Sequence, residues 1–351
     1  MTNGVSLHGD ADCVSLSEGR NMGNEEDWME GVKSVPLRRK DTTAVHSLHR
    51  FAFSVPDLKA AIDFYNGFGL DVREVEGRAD LYTLGHRHRW ASIYQRPGPK
   101  QLEYVSFGIY ADDLDALVQR LVQMGVATTP PHALADEQGI WIRDPDGTPV
   151  QIVVAPKVSP AAKSVASVPA VVPGRGAAPS RSAASVVHPR RLSHILLFSS
   201  DVLRSVRFYT ETLGLRLSDR SGDVIAFLHG AHASDHHMLA FAKSDGPGLH
   251  HSSWDVANFD DVGLGMQQMA DRGHVHGWGV GRHVIGSNYF RYVRDPWGSF
   301  AEYSHDIDFI PVDIEWNAGD YPPEDSFYVW GPPVPDDFII NHESASRHKS
   351  A

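Results

Sequence analysis

The segment SHILLFSSDVLRSVRFYTETLGLRL, residues 193–217, decides the fold of this chain. An apolar run is followed by Asp201, a residue type that caps helix N-termini, and then by apolar residues at helical spacing. Gly214 stands where the helical spacing stops, as expected of a helix C-terminus. The segment predicts a strand over 194–198 and a helix over 201–212. Short strands are expected near 215–219, 224–228 and 236–242.

The same pattern restarts about 50 residues further along the chain. It predicts a strand over 251–256 and a helix over 260–272, with strands near 279–284, 289–294 and 299–304. The unit is therefore strand-helix-strand-strand-strand (βαβββ), and it occurs twice in this half of the chain.

The first half of the chain repeats the second. HRFAFSVPDLKAAIDFYNGFGLDV (49–72) aligns with the opening segment and places Phe64-Tyr65 on Phe208-Tyr209. FGIYADDLDALVQRLVQMGV (107–126) aligns with WDVANFDDVGLGMQQMADRGHV (254–275), and IWIRDPDGTPVQIVV (140–154) aligns with YFRYVRDPWGSFAEYS (289–304). Three matches in the same order indicate a duplicated domain rather than shared composition. We expect an α+β protein of four βαβββ modules in two tandem domains.

Composition divides the chain into five parts. The two domains are expected at 43–156 and 189–308, joined by an Ala/Ser/Pro-rich linker at 157–188. A polar N-terminal arm precedes them at 1–42. An aromatic and Pro-rich tail follows at 309–351. Two roles fit it, a lid over the cup and packing on a neighbouring subunit, and the lid is favoured.

Charge and cysteine content exclude several classes of protein. The formal net charge is −12 and no basic run is present, which argues against nucleic acid and anionic membrane surfaces as partners. Cys13 is the one cysteine, so an internal disulfide and a cysteine-based zinc site are both excluded. No signal peptide and no membrane span is evident, and a cytoplasmic location is expected.

The duplicated βαβββ modules resemble those of the vicinal oxygen chelate superfamily. Within it, residues 45–320 are similar to the two-domain type I extradiol ring-cleavage dioxygenases, such as the catechol and dihydroxybiphenyl enzymes. The resemblance implies cup-shaped sheets, a catecholic aromatic diol and O2 as substrates, meta-cleavage of the ring, and a homo-oligomer.

The resemblance also implies a metal site in the second domain. His194, His251 and Glu302 stand at the superfamily's ligand positions, each on a predicted strand. Two imidazoles and one carboxylate are typical of non-haem Fe(II) sites, and Mn(II) is also compatible. The first domain has Arg50 and Gln151 at two of the matching positions, with Tyr104 or Glu103 at the third depending on the alignment, so we expect it to hold no metal.

Two His-His pairs lie close together in this half. Strand alternation sends the members of a pair to opposite faces. We assign the second member, His251, to the metal and treat His250 as packing around the site. In the other pair the resemblance gives the acid/base role to His237, and His236 receives no role. The family's spacing further implies His283 as a partner of the substrate hydroxyls, together with Tyr292 on the following strand.

Leu196 and Ala240 are the expected pocket walls. Leu196 shares the face of His194, and Ala240 lies just after His237. Low polarity at both positions suits an aromatic substrate.

Several rival functions remain. A hydroquinone-cleaving dioxygenase shares the chemistry and differs only in its pocket. A 4-hydroxyphenylpyruvate-type dioxygenase would not need His237, His283 and Tyr292, and a glyoxalase-type isomerase needs a fourth protein ligand. A non-catalytic drug- or aromatic-binding protein of the bleomycin-resistance type would need no metal triad at all.

Overall fold

The computed structural model describes residues 38–167 and 171–347. Residues 1–37 of the predicted N-terminal arm lie outside the described residues. Among the described residues, none of the helices is long and apolar enough to cross a lipid bilayer.

A seven-stranded sheet is built from the first half of the chain. Its spatial order is β2-β3-β4-β1-β5-β7-β6. The strands are β1 (Ser47–Val55), β2 (Asp71–Val75), β3 (Arg78–Tyr82), β4 (Ala91–Gln95), β5 (Gln101–Ile109), β6 (Ile140–Arg143) and β7 (Pro149–Val154).

A ten-stranded sheet is built from the second half. Its strands are β8 (Arg191–Ser199), β9 (Arg216–Ser221), β10 (Ile225–His229), β12 (Leu239–Lys243), β13 (Gly248–Asp255), β14 (Gly277–His283), β15 (Tyr289–Arg294), β16 (Phe300–His305), β18 (Gly319–Asp320) and β19 (Tyr328–Trp330). Their order is β18-β9-β10-β12-β8-β13-β16-β15-β14-β19. A separate two-stranded sheet pairs β11 (Ser234–Asp235) with β17 (Phe309–Ile310).

The helices predicted at 201–212 and 260–272 are found within one or two residues of those bounds. The helices are α1 (Leu58–Gly67), α2 (Leu114–Gln123), α3 (Val202–Leu213), α4 (Phe259–Ala270) and α5 (His342–Arg347). Asp201 caps α3 by accepting the backbone N–H of Arg204, and Gly214 ends that helix with a positive φ of 75°. Only a residue that tolerates the left-handed region fits this position without strain.

The two sheets share one topology, which confirms the predicted α+β duplication. In the first, β1 pairs parallel with β4 and antiparallel with β5, which pairs parallel with β7. In the second, β8 relates to β12, β13 and β16 in the same way.

One of the four modules is incomplete in the described residues. Two strands rather than three follow α2, and residues 124–139 form an irregular connection. This connection contains Pro130 and Pro131, which lack the backbone N–H that a sheet ladder requires. It runs into the cup of the first sheet, as described below.

Two turns of sequence DPxG, at 144–147 and 295–298, occupy matching positions in the two halves, and each contacts the other half. Asp144, in the first turn, accepts a hydrogen bond of 3.2 Å from the hydroxyl of Tyr209 on α3. Asp295, in the second turn, forms a buried ion pair with Lys100 of the first half. Phe68 also stacks on Tyr303 of the second sheet with ring centroids 3.8 Å apart. The apolar core is therefore continuous between the two halves.

Candidate metal centre

Three adjacent strands in the middle of the second sheet bring His194, His251 and Glu302 together. His194 on β8 pairs with Ser253 on β13, which pairs with Glu302 on β16. His251 stands two residues before Ser253 and so lies on the same face. His194 Nε2 is 3.4 Å from Glu302 Oε2, and His251 Nε2 is 3.6 Å from the same oxygen. All three side chains are buried.

Hydrogen bonding turns the lone pair of His194 towards Glu302. The hydroxyl of Ser193 donates to Asp235 Oδ2 at 2.8 Å, so its oxygen is left to accept from His194 Nδ1 at 3.3 Å. In the neutral form of the ring the proton is therefore on Nδ1, and Nε2 is free to bind a cation.

The same accounting fixes the tautomer of His251. His250 Nε2 lies 2.8 Å from the backbone carbonyl of Phe338, which can only accept, so this nitrogen carries a proton. Burial lowers the pKa of His250 to about 4, so the ring is neutral and its Nδ1 is an acceptor. His251 Nδ1 donates to it at 2.7 Å. The Nε2 of His251 then carries a lone pair and has no hydrogen-bond partner among the described residues.

The carboxylate of Glu302 is held by one of its two oxygens. Asn288 Nδ2 donates to Oε1 at 3.1 Å, whereas Oε2 is buried without a hydrogen-bond partner among the described residues. In its ionised form the carboxylate offers Oε2 as an acceptor to a cation.

Three acceptor atoms therefore converge with no proton between them, an arrangement that fits a bound cation. In the part of the chain that the structure describes, this is the one group of three or more His, Cys, Asp or Glu side chains with such geometry. Two neutral imidazoles and a carboxylate suit Fe(II) and Mn(II), and a three-residue set leaves coordination positions open.

The three predicted acid/base and hydroxyl-binding residues lie beside this group. The ring centroids of His237 and His194 are 4.1 Å apart. Burial lowers the pKa of His237 well below its usual value. Tyr292 on β15 pairs directly with Glu302, and its hydroxyl donates to His283 Nε2 at 2.9 Å. His283 Nδ1 in turn donates to the carbonyl of Phe327 at 2.8 Å.

An apolar cavity opens against the group. His194, His237, His251, His283 and Tyr292 all contribute to its lining. Most of its other lining residues are apolar and include Leu196, Ile225, Phe227, Ile285, Phe327 and Phe338, while Asn288 and Ser326 add polar groups.

The two predicted wall residues have different positions. Leu196 lines the cavity. Ala240 is fully buried in the apolar cluster behind that wall, whereas Ala242, two residues later on the same strand face, reaches the cavity.

The tail after Asp308 covers one side of the cavity. Its strand β19 pairs with β14 at Arg282 and His283. Further on, Phe338 packs against Tyr292 with ring centroids 5.0 Å apart. The sequence suggested a lid in this region but could not identify Phe338 or its carbonyl as the partner of His250.

The matching cup of the first sheet is filled by ion pairs. Arg50 and Gln151 occupy the register positions of His194 and Glu302, and Tyr104 pairs with β1 as His251 pairs with β8, so Tyr104 rather than Glu103 is the counterpart. Arg50 pairs with Asp136 and Glu137 of the irregular connection. In this cup the positive charge is the guanidinium of Arg50 rather than a metal ion.

Asn288 is the further site residue that the sequence analysis missed. It stands before β15 and reaches Glu302, 14 residues away, only because β15 and β16 pair. No local pattern identifies it, since its role depends on the register between two strands.

Comparison with known proteins agrees with this geometry. The profile of the Glyoxalase/Bleomycin resistance protein/Dioxygenase superfamily matches residues 47–152 and 191–303. Metapyrocatechase 2 of Cupriavidus necator is 48% identical over 301 residues, which cover 86% of this chain and 93% of that protein. Biphenyl-2,3-diol 1,2-dioxygenase of Paraburkholderia xenovorans (strain LB400) is 28% identical over 88% of this chain and 100% of its own length.

A solved structure shares the fold. The Mn(II)-bound glyoxalase from Novosphingobium aromaticivorans superposes with a TM-score of 0.68 at 23% identity, over 86% of this chain and 96% of that one. The resemblance drawn from the sequence is therefore confirmed. The chain belongs to the Glyoxalase/Bleomycin resistance protein/Dioxygenase superfamily and, within it, to the extradiol ring-cleaving dioxygenases.

Proposed function

We propose that the protein is an Fe(II)-dependent extradiol dioxygenase that opens a catecholic ring beside its two hydroxyl groups, with O2 as the second substrate. The observation that carries this function is the convergence of three proton-free acceptor atoms beside an apolar cavity. The 48% identity to metapyrocatechase 2 supports the same activity.

His194, His251 and Glu302 would hold the metal. Fe(II) bound there would supply a Lewis acid for the diol and electrons for O2, with open positions for both. The protein's own part begins with geometry, because the buried ligands are oriented by hydrogen bonds before any ion binds. Such outer hydrogen bonds raise the affinity of a site for its metal.

His237, His283 and Tyr292 handle the protons. A catechol must lose protons to chelate a metal, and His237 is neutral and lines the cavity, so its ring nitrogen can accept one. It can return the proton to oxygen later in the reaction. The phenol of Tyr292 and the ring of His283 face the same space and can hydrogen-bond a substrate hydroxyl.

The apolar walls select an uncharged aromatic ring. Apart from the metal-binding side chains, none of the described lining residues is an acid, a lysine or an arginine, so nothing there would pair with a carboxylate on the substrate. We propose that Leu196 and Phe338 contact opposite parts of the ring and that the tail at 309–351 acts as a lid.

The proposed function is tested by oxygen uptake. Protein loaded anaerobically with Fe(II) is given a panel of catechols and hydroquinones while the visible spectrum is followed. We expect uptake with a yellow ring-opened product from catechols. Glu302→Ala should abolish it, and the matched Gln151→Ala in the first domain should leave it unchanged. Uptake with hydroquinones alone would favour the hydroquinone-cleaving alternative.

Binding without reaction would indicate a different class of protein. Tight binding of a diol with no oxygen uptake, despite bound iron, would favour the non-catalytic binding alternative. Loading with Mn(II) in the same assay decides between the two metals. Fe(II) is proposed because electron donation to O2 suits it.

The domain limits, assembly and location complete the proposal. We propose domains at 43–156 and 189–308 with a linker at 157–188, supported by the duplicated sheets and the two matched ranges. A homo-oligomer is proposed from the family resemblance, to be tested by light scattering on purified protein. The single Cys13 supports a cytoplasmic location, which cell fractionation would test.

A further inference from the structure

A second hydrogen-bonded chain lies behind His237. Asp219 on β9 is 2.7 Å from His236 Nε2, and His236 Nδ1 is 3.0 Å from His237 Nδ1. Asp219 and both rings are buried. None of the roles proposed above uses Asp219 or His236, although together they connect the edge of the sheet to the cavity.

Donor and acceptor accounting sets the direction of this chain. The other oxygen of Asp219, Oδ1, accepts the backbone N–H of Gly319 at 2.6 Å. An ionised carboxylate can only accept, so His236 Nε2 must donate to it. The Nδ1 of a neutral His236 is then an acceptor, and the nitrogen that faces it, His237 Nδ1, must carry the proton of the His237 ring.

Packing fixes the plane of the His237 ring. Phe227 lies 4.8 Å away between ring centroids. On another side is Gly286, where an added Cβ would come within 3.1 Å of His237 Cε1. Gly286 has a φ of +85°, so other residues would be strained there as well as crowded. The remaining nitrogen, His237 Nε2, takes no part in this chain, and the ring lines the cavity.

We infer that Asp219 and His236 are positioning residues that hold His237 in the tautomer with its proton on Nδ1 and its lone pair on Nε2, facing the cavity. This inference rests on the proposed function for its catalytic consequence, because the lone pair would receive the proton that leaves the substrate hydroxyl. The tautomer itself can be measured without turnover.

Asp219→Asn reverses the chain without changing its shape. The backbone N–H of Gly319 keeps the carbonyl of the new amide on its side, so the amide NH2 is directed at His236 Nε2. His236 must then accept there and donate from Nδ1. The proton of His237 moves to Nε2, where it blocks the lone pair.

The first experiment reads the tautomer directly. Protein with 15N-labelled histidine and diamagnetic Zn(II) is examined by NMR, with the His237 signals assigned from a His237→Gln variant. We expect a protonated Nδ1 in the wild-type protein and a protonated Nε2 in Asp219→Asn. A protonated Nε2 in the wild type, or the same tautomer in both proteins, would overturn the inference.

The second experiment measures kinetics of the Fe(II) enzyme. Loss of the base should lower kcat in Asp219→Asn by about 10²–10⁴-fold, with iron content and KM changed by less than about twofold. Asp320→Asn is the matched control on neighbouring β18, where Asp320 pairs with Arg220 on the surface. An unchanged kcat in Asp219→Asn, an equal loss in Asp320→Asn, or a loss that follows iron content would contradict the inference.

The two experiments separate the inference from the proposed function. If wild-type protein consumes no oxygen with any diol, the proposed activity fails while the NMR result still decides the tautomer. If the enzyme is active but its tautomer is insensitive to position 219, the activity stands and the role of Asp219 and His236 does not.

Discussion

The two His-His pairs share one hydrogen-bond arrangement. In each pair the second ring lines the cavity. The first ring accepts a hydrogen bond at its Nδ1 from the second ring. The first ring is fixed in turn by an acceptor at its Nε2, the carbonyl of Phe338 for His250 and the carboxylate of Asp219 for His236. His250 and His251 lie on β13, where strand alternation separates their faces. His236 and His237 lie in the connection between β11 and β12.

Replacing His250 should weaken metal binding. His250→Phe keeps an aromatic ring against Phe338 but removes the acceptor that fixes the His251 tautomer. We expect about a 10–100-fold loss of Fe(II) affinity, measured by anaerobic metal titration. His305→Phe is the matched control, since His305 is also buried and bonded to a carbonyl, that of Val256. Equal loss of affinity in both variants would contradict the prediction.

At the scale of elements, the DPxG turn of the first half is closed by a buried carboxylate. Asp144 accepts the backbone N–H groups of Asp146 and Thr148 as well as the hydroxyl of Tyr209. Burial raises the pKa of Asp144 to about 6. The folded protein therefore holds this proton more tightly than the unfolded chain does.

The turn should make stability depend on pH with a definite sign. The contribution of a protonated Asp144 is complete below its unfolded pKa near 4 and is lost as the pH rises through about 6. The side chain of the Asp144→Asn variant cannot titrate. Between pH 4 and 7 the wild type should therefore lose on the order of 3 kcal/mol of its free energy of unfolding relative to the variant. Denaturant titrations at several pH values measure this, and parallel curves for the two proteins would refute it.

The tail segment acts on the cavity through one side chain. Phe338 packs on Tyr292, on Phe300 and on His250. Phe338→Ala should raise the KM for a catechol about tenfold, equivalent to about 1.4 kcal/mol of lost contact, with a smaller change in kcat. Ile340→Ala is the control, because Ile340 is nearly half exposed and does not line this cavity. A similar KM in both variants would exclude the lid role of Phe338.

At the scale of the whole molecule, the two halves are joined by an ion pair with no access to water. Lys100 and Asp295 are both almost completely buried, and Asp295 also accepts the backbone N–H groups of Trp297 and Ser299. Removing the cation leaves a buried carboxylate without its counter-charge. Such losses are costly because the remaining charge cannot be solvated.

Lys100→Met should destabilise the protein by about 3–5 kcal/mol. Denaturant unfolding measures this, and adding Asp295→Asn should recover much of the loss by removing the stranded charge. Lys59→Met breaks the exposed pair with Asp63 on α1 and should leave the free energy of unfolding almost unchanged. Equal costs for Lys100→Met and Lys59→Met would show that the interdomain pair does not stabilise the domain packing.

The sequence predicted the helix positions correctly but not that one module lacks a strand. The helices at 201–212 and 260–272 were predicted from capping residues and spacing and were found at Val202–Leu213 and Phe259–Ala270. The third strand expected after α2 was not found among the described residues. Pro130 and Pro131 lie in the irregular segment that replaces this strand. Its course into the cup depends on the ion pairs of Arg50, which no local pattern encodes.

Sequence alone determined the duplication and the α+β class, because residue type and strand periodicity are local properties that repeat at constant spacing. The family resemblance implied His194, His251 and Glu302 as the metal ligands. Only the tertiary structure decided which ring nitrogen of each histidine carries the proton. That depends on Phe338, Asp219 and Asn288, which are brought to the site from distant parts of the chain by strand pairing. The sequence identified the ligands through the family resemblance, whereas the hydrogen bonds that orient them form only after the sheet has formed.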